Sequence, residues 1–249
     1  MNPKPLDFQF KEIDSEGFET LSVISDAVHF NNWTFETLRP WCSGKILEIG
    51  SGIGNISGRF IENNYDITLS DIRSNYRDFL ALKFPEISRQ QKIKSLDLVH
   101  PQFEEEYAAL LGSFDTVFAL NVIEHIENDS LAIANCHKLL KKGGTLIILV
   151  PAFQALYNLF DKELFHFKRY RSADLNQLFI SNSLIPIKSF YFNAGGIPGW
   201  FVSGNLQKNK TIPPSQMRMF DKLVPVFKLL DKILLNKIGL SVICVGKKN

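Results

Sequence analysis

Leu47-Glu48-Ile49-Gly50-Ser51-Gly52-Ile53-Gly54-Asn55 decides the fold: a short apolar run ends in three alternating glycines, and a helix-like segment follows. Glycine has no Cβ, so the backbone can turn tightly there and a ligand can approach the amides closely. Such a turn after a strand serves either as a plain connection or as a nucleotide-binding bend. The dinucleotide pattern Gly-x-Gly-x-x-Gly fails, because Asn55 stands where the third glycine is required.

Outward from this turn the chain alternates β-rich runs with helical ones. Strands are expected at residues 45–49, 66–70, 91–96, 114–120, 145–150, 185–192 and 240–246. Helices are expected at 55–63, at 75–84 (closed by Pro85) and at 128–140, the last ending in the cationic turn and glycine stops of Lys141-Lys142-Gly143-Gly144. Ser172 reads as the N-cap of a helix through Ile180. This pattern predicts an α/β fold, a Rossmann-like seven-stranded mostly parallel sheet with helices on both faces. The organisation expected is one domain over 1–249, with a helical lead-in at 1–40 and a helical insertion at 194–239 before the last strand.

Bulk properties narrow the class. With 249 residues, 45% hydrophobic and 22% charged, the chain can bury a sizeable core. A formal net charge of +2 without a long Lys/Arg run argues against a nucleic-acid partner. Cys42, Cys136 and Cys244 lie far apart without metal-ligand spacing, so neither a disulfide framework nor a metal site is expected. Residues 1–10 show no secretory pattern, and no apolar run reaches the roughly 18 residues of a membrane span. The localisation expected is therefore cytoplasmic.

Acidic residues sit where a ligand would. Asp71 follows the second strand at the carboxyl edge, where open α/β sheets bind ligands, and can accept two hydrogen bonds from ribose hydroxyls. Asp97 follows the third strand, within reach of an adenine amino group. Glu48, Asp71 and Asp97, read as having no Lys or Arg nearby, suit a cationic nucleoside better than a phosphate. Each has a bland counterpart: a structural turn at 50–54 and solvated loop carboxylates at 71 and 97.

In this order and spacing the segments resemble the class I S-adenosylmethionine (SAM)-dependent methyltransferases, from about Trp33 to Lys247. Residues 47–54 look like their first motif, and Asp71 matches the ribose-binding acid. Ser95-Leu96-Asp97-Leu98 is similar to the adenine-facing segment, and 114–126, with Asn121-Val122-Ile123-Glu124-His125, to the fourth-strand motif. Residues 139–148 resemble the approach to the fifth strand. The Asn-Val-Ile-Glu-His run is similar to methyltransferases of quinone biosynthesis. The resemblance implies SAM as cofactor, bordered by Trp33, Glu48, Gly50, Gly52, Asn55, Asp71, Asp97, Leu98 and Asn121. It further implies methyl transfer to a small-molecule or lipid- or glycoconjugate-linked acceptor, with oxygen favoured. Two rivals stand: a SAM-binding module without catalysis, and a nicotinamide-dependent oxidoreductase. A nucleic-acid methyltransferase is disfavoured, since no Asn/Asp-Pro-Pro-aromatic motif occurs.

The acceptor is expected near the ends of strands four and five. His125 is a candidate base, or else it caps or packs on the next helix. The aromatic and basic run 157–170 offers His166 to take a proton and Arg169 to bind an anionic group, or else it is a surface helix with Lys168 and Arg169 in solvent. In the insertion, Gly199-Trp200-Phe201-Val202 reads as exposed apolar groups beside glycine, and a helix is expected after Pro225. There Val226, Phe227, Leu229, Leu230, Ile233 and Leu234 form a wide apolar face and Lys228, Asp231, Lys232 and Asn236 a polar one, with Lys208, Lys210 and Arg218 upstream. Either this helix packs on the sheet or on a second subunit as a homodimer, or residues 220–238 meet the inner face of a membrane peripherally.

Overall fold

The computed structural model describes residues 15–207, 209 and 211–249; the first fourteen residues of the lead-in, Lys208 and Lys210 lie outside the described residues. Seven strands form one sheet: β1 (Ile46–Ile49), β2 (Ile67–Ser70), β3 (Ile93–Lys94), β4 (Phe114–Leu120), β5 (Leu140–Pro151), β6 (Leu184–Phe192) and β7 (Ser241–Lys248). Their order is β3-β2-β1-β4-β5-β7-β6, with β7 antiparallel to both neighbours and the other pairs parallel. The Rossmann-like reading holds.

Helices cover both faces, which is why β1 and β2 are buried at every position, including the polar Glu48, Thr68 and Ser70. Alternate residues part the core. Leu47, Ile49, Val117, Ala119, Leu146 and Ile148 pack with α7 (Asp129–Leu139) and α9 (Ser172–Ser181). Ile46, Ile67, Leu69, Phe118, Ile147 and Leu149 face α2 (Val28–Leu38), α3 (Ser57–Glu62), α4 (Ser74–Lys83) and α11 (Pro214–Ile233). The remaining helices are α1 (Ser15–Ser25), α5 (Pro85–Arg89), α6 (Phe103–Glu106), α8 (Leu159–Glu163) and α10 (Gly196–Phe201).

Three local expectations need correction. Lys141 to Gly144 do not finish a helix: α7 stops at Leu139, Leu140 already pairs with Phe114, and a bulge carries the strand on to the Thr116–Thr145 pair. Ser172 is the first residue of α9 and not its cap; Arg171 is the cap, and its amide is satisfied by the Asp174 carboxylate. Finally, the helix of the insertion begins at Pro214 and runs through Pro225.

Two buried aspartates hold α11 through that proline. Asp221 accepts hydrogen bonds from the amides of His29 (3.3 Å) and Phe30 (2.8 Å) in the otherwise uncapped first turn of α2. Asp231 accepts from the amides of Asn193 (2.7 Å) and Ala194 (2.8 Å), just where β6 ends. Asp231→Ala should therefore strand two buried amides and cost about 3 kcal/mol of stability in chemical denaturation. A loss within about 0.5 kcal/mol would show that α11 is not held this way.

Candidate active site

The glycine turn links β1, β2 and β4. Gly50, Gly52 and Gly54 have φ of 69°, 52° and 76°, a region side chains rarely adopt. A Cβ on Gly50 would lie 2.4 Å from Cγ2 of Val122, and one on Gly52 would lie 2.7 Å from Cδ1 of Leu21 in α1. The Gly52 amide donates to Oδ2 of Asp71 (2.9 Å), and the Arg73 amide donates to Oδ1 (3.0 Å). Burial raises the Asp71 pKa, while these amides and the nearby Arg73 and Arg77 hold it down. The acidic set is thus not free of cations, because the first turn of α4 brings two arginines alongside.

Glu48 is buried and accepts from the Ser57 hydroxyl at the start of α3. It anchors the helix that the turn opens. Burial pushes its pKa from 4.5 up to about 7, against the Ser57 and Ser51 hydroxyls. Asn55 donates from Nδ2 to the Leu21 carbonyl, and its Oδ1 is buried without a hydrogen-bond donor. The residues fit SAM: bare backbone at the turn, a carboxylate with lone pairs for ribose hydroxyls, and an orphaned acceptor suited to an ammonium.

Asp97 is half-buried at the end of β3, its Oδ1 accepting from the Val99 amide (2.9 Å). Leu98 has its side chain in the core. Asn121 is exposed at the end of β4 with φ of 53°, and its amide donates to the Leu149 carbonyl (2.8 Å). Trp33 is instead a core residue, its ring centroid 4.4 Å from that of Phe192 at the end of β6. The element over the turn is α1, through Leu21 and through Phe18, which stacks on Tyr76 of α4.

On the other side of the β4 end, the run from Ala152 to Arg171 folds back as a strap. Ala152 bridges to Tyr170, Tyr170 Oη donates to Asp129 (2.9 Å), and the Phe167 amide donates to the Glu124 carbonyl (2.8 Å). Asp161, fully buried, accepts from Nδ1 of His166 (2.9 Å) and from Nε of Arg169 (2.8 Å), and its pKa is lowered by them despite its burial. Arg169 also donates to the Ala152 carbonyl (3.1 Å) and lies over the Trp200 ring. Arg169 is therefore neither a free anion-binding group nor a solvated one; it braces the strap. Lys168 pairs with Asp129 (2.7 Å). Trp200 is half-buried against Phe160, while Phe201 and Val202 are exposed as expected.

His125 and His166 meet edge to face, with centroids 4.6 Å apart. His125 is open to solvent yet crowded by protein, and this desolvation, with His166 and Arg73 nearby, lowers its pKa to about 3. It is neutral at physiological pH. Glu124 is 0% exposed, neither of its oxygens has a hydrogen-bond partner, and burial pushes its pKa up to about 8. Its place after the fourth strand marks Glu124 as a candidate beside His125, but the residue types alone do not reveal that its carboxylate is buried without a partner.

A family profile described as "Methyltransferase domain" matches residues 47–146. The chain is 32% identical over 111 residues to a hybrid PKS-NRPS synthetase of Penicillium oxalicum, covering 42% of this chain and 3% of that protein. It is 27% identical over 109 residues to a ubiquinone biosynthesis O-methyltransferase of Thiobacillus denitrificans, covering 44% and 45%. The chain thus spans only a small part of the first of these relatives and under half of the second. A SAM-dependent methyltransferase from Archaeoglobus fulgidus has the same fold (TM-score 0.56, 18% identity, 88% and 94% covered). So does phosphoethanolamine N-methyltransferase 2 of Haemonchus contortus in complex with SAM (TM-score 0.58, 16% identity, 94% and 58% covered).

The buried Glu48 gives the turn a pH signature. Its folded pKa of about 7 lies above its ordinary 4.5, so the folded state holds a proton that the unfolded state releases between those values. Stability from this group is full below about pH 4.5 and is lost as pH rises through about 7. Thermal unfolding of Glu48→Gln against the parent chain should favour the variant more at pH 8 than at pH 5; an equal difference at both would refute the assignment.

Proposed function

We propose that the chain is a class I SAM-dependent methyltransferase and that it methylates a small-molecule or lipid- or glycoconjugate-linked acceptor, at oxygen in preference to carbon or nitrogen. SAM supplies an electrophilic methyl group on a cationic sulfur. Asp71 would hold the ribose through the lone pairs not used by the Gly52 and Arg73 amides, and α1 would cover the bound nucleoside.

The observation that favours oxygen is the pair of imidazoles beside the β4 end. Asp161 can only accept, so Nδ1 of His166 carries the hydrogen between them and Nε2 offers a lone pair. The neutral His125 offers a second. A hydroxyl acceptor needs its proton taken as its oxygen bonds to the methyl carbon and the sulfur–carbon bond breaks; a basic amine needs no such group. Phe165 and Phe167 flank His166 with exposed rings, which suits an acceptor with an apolar part.

A specific observation supports a lipid-linked acceptor or lipid surface. One side of α11 packs through Met217, Asp221, Val224 and Asp231, while Met219 (63% exposed), Leu223, Val226 (60%), Leu229 and Ile233 (67%) form an open apolar stripe. Arg218, Lys222 and Lys232 are exposed around it, the arrangement of a helix lying in an anionic lipid interface. No helix of the described residues is long and apolar enough to cross a membrane.

Two measurements test these readings. Asp71→Ala should weaken S-adenosylhomocysteine binding by calorimetry about 10- to 100-fold, the worth of charge-assisted hydrogen bonds to ribose; undiminished binding would remove the carboxylate from the site. Vesicles of phosphatidylglycerol and phosphatidylcholine should co-sediment the intact chain, and Val226→Glu with Ile233→Glu should release it. No sedimentation of the parent chain would end the lipid reading.

A further inference from the structure

We propose that Glu124, His125 and His166 form a binding site for one divalent transition-metal ion at the acceptor end of the sheet. A carboxylate oxygen and one nitrogen from each ring lie within 4.8 Å of one another. Ligands about 2.1 Å from a shared ion stand up to about 4 Å apart, so closing on it requires only small rotations of these side chains.

The site is built beyond its three ligands. Glu124 is fully buried, and both of its oxygens lack a hydrogen-bond partner. Buried polar groups are otherwise satisfied almost without exception, and a carboxylate left so is costly. No proton transfer to the histidines uses this carboxylate, whereas a cation satisfies it directly. His166 turns Nδ1 to Asp161 (2.9 Å), which is in turn held by Arg169 (2.8 Å). That carboxylate–histidine arrangement is what orients a metal-ligating imidazole and fixes Nε2 as the ligand atom.

The donor set also selects the ion. Two imidazoles and one carboxylate suit zinc, manganese or iron(II) and leave positions open for further oxygen ligands, whereas magnesium prefers all-oxygen surroundings. The exposed ring of His125 marks the open side. An acceptor with a hydroxyl, or two adjacent oxygens, would complete the coordination there. This inference rests on the methyl-transfer reading for its role but not for its test; with the ion bound, the imidazole lone pairs are on the metal, which would ease loss of the proton from a bound hydroxyl in place of an imidazole base.

Chain stripped with a chelator and titrated with zinc or manganese chloride should bind one equivalent, read by calorimetry and by metal content after dialysis. Glu124→Gln, His166→Ala and His125→Ala should each weaken binding about tenfold or more. His125 is exposed, so its variant keeps the test decisive where a buried substitution prevents folding. Absent stoichiometric binding, or binding unchanged in the variants, would overturn the site; magnesium binding as tightly as zinc would overturn the assigned ligand chemistry. Titration of S-adenosylhomocysteine into the same stripped chain separates the two readings. Heat there with no metal uptake leaves methyl transfer standing and removes the metal, and the reverse pattern removes methyl transfer alone.

Discussion

One hydrogen bond organises the glycine bend of this molecule: the Gly52 amide on the Asp71 carboxylate. It ties the bend after β1 to the tip of β2, and it requires the residue at 52 to have positive φ. The other contacts of the bend depend on that geometry. Gly50 can lie under Val122 from the β4 end, Leu21 can lie on Gly52, and Asn55 can reach the Leu21 carbonyl only when the bend is closed in this form. Glu48 secures the same bend from below through Ser57, so the turn is held by one carboxylate on each side.

The end of β4 with its strap follows a different logic. Its groups come from the β4 end and from a strap some 40 residues later in the chain, and a buried aspartate brings the strap into position. Asp161 sits at its centre, with His166 and Arg169 as its partners and Trp200 stacked beyond. Arg169 acts through Asp161 and the Ala152 carbonyl, so it positions the site without touching it. The contrast between the two ends is one of sequence distance: the glycine bend is local, and the histidine cluster is assembled.

That contrast explains what could be read from residues alone. The seven strands, their order of occurrence and the tight turn at 47–55 were legible because buried parallel strands and glycine turns leave period and composition signals. The position of Asp71 beside the bend was legible from its place just after the second strand. The Lys141–Gly144 misreading arose because a lysine–glycine run signals a helix end, yet strand pairing by Leu140 won. Trp33 and Arg169 look functional by type, but packing on Phe192 and pairing with Asp161 absorbed them. Glu124 carried the opposite difficulty: nothing in an Ile-Glu-His run says that the carboxylate will be buried without a partner. Cysteine spacing, the feature consulted for metals, has no bearing on a His-and-Glu cluster.

The position of β7 has a consequence for how the chain reaches this state. It lies between β5 and β6, and β6 has no other strand partner among the described residues. The edge of β5 therefore stays bare, and β6 remains a lone ribbon, until residues 241–248 have emerged from the ribosome. Strand-pairing over such separations is slow, and an unpaired apolar edge invites other chains. Nascent chains paused between residues 192 and 241 would be natural clients for a chaperone, although six of the seven strands have already been synthesised.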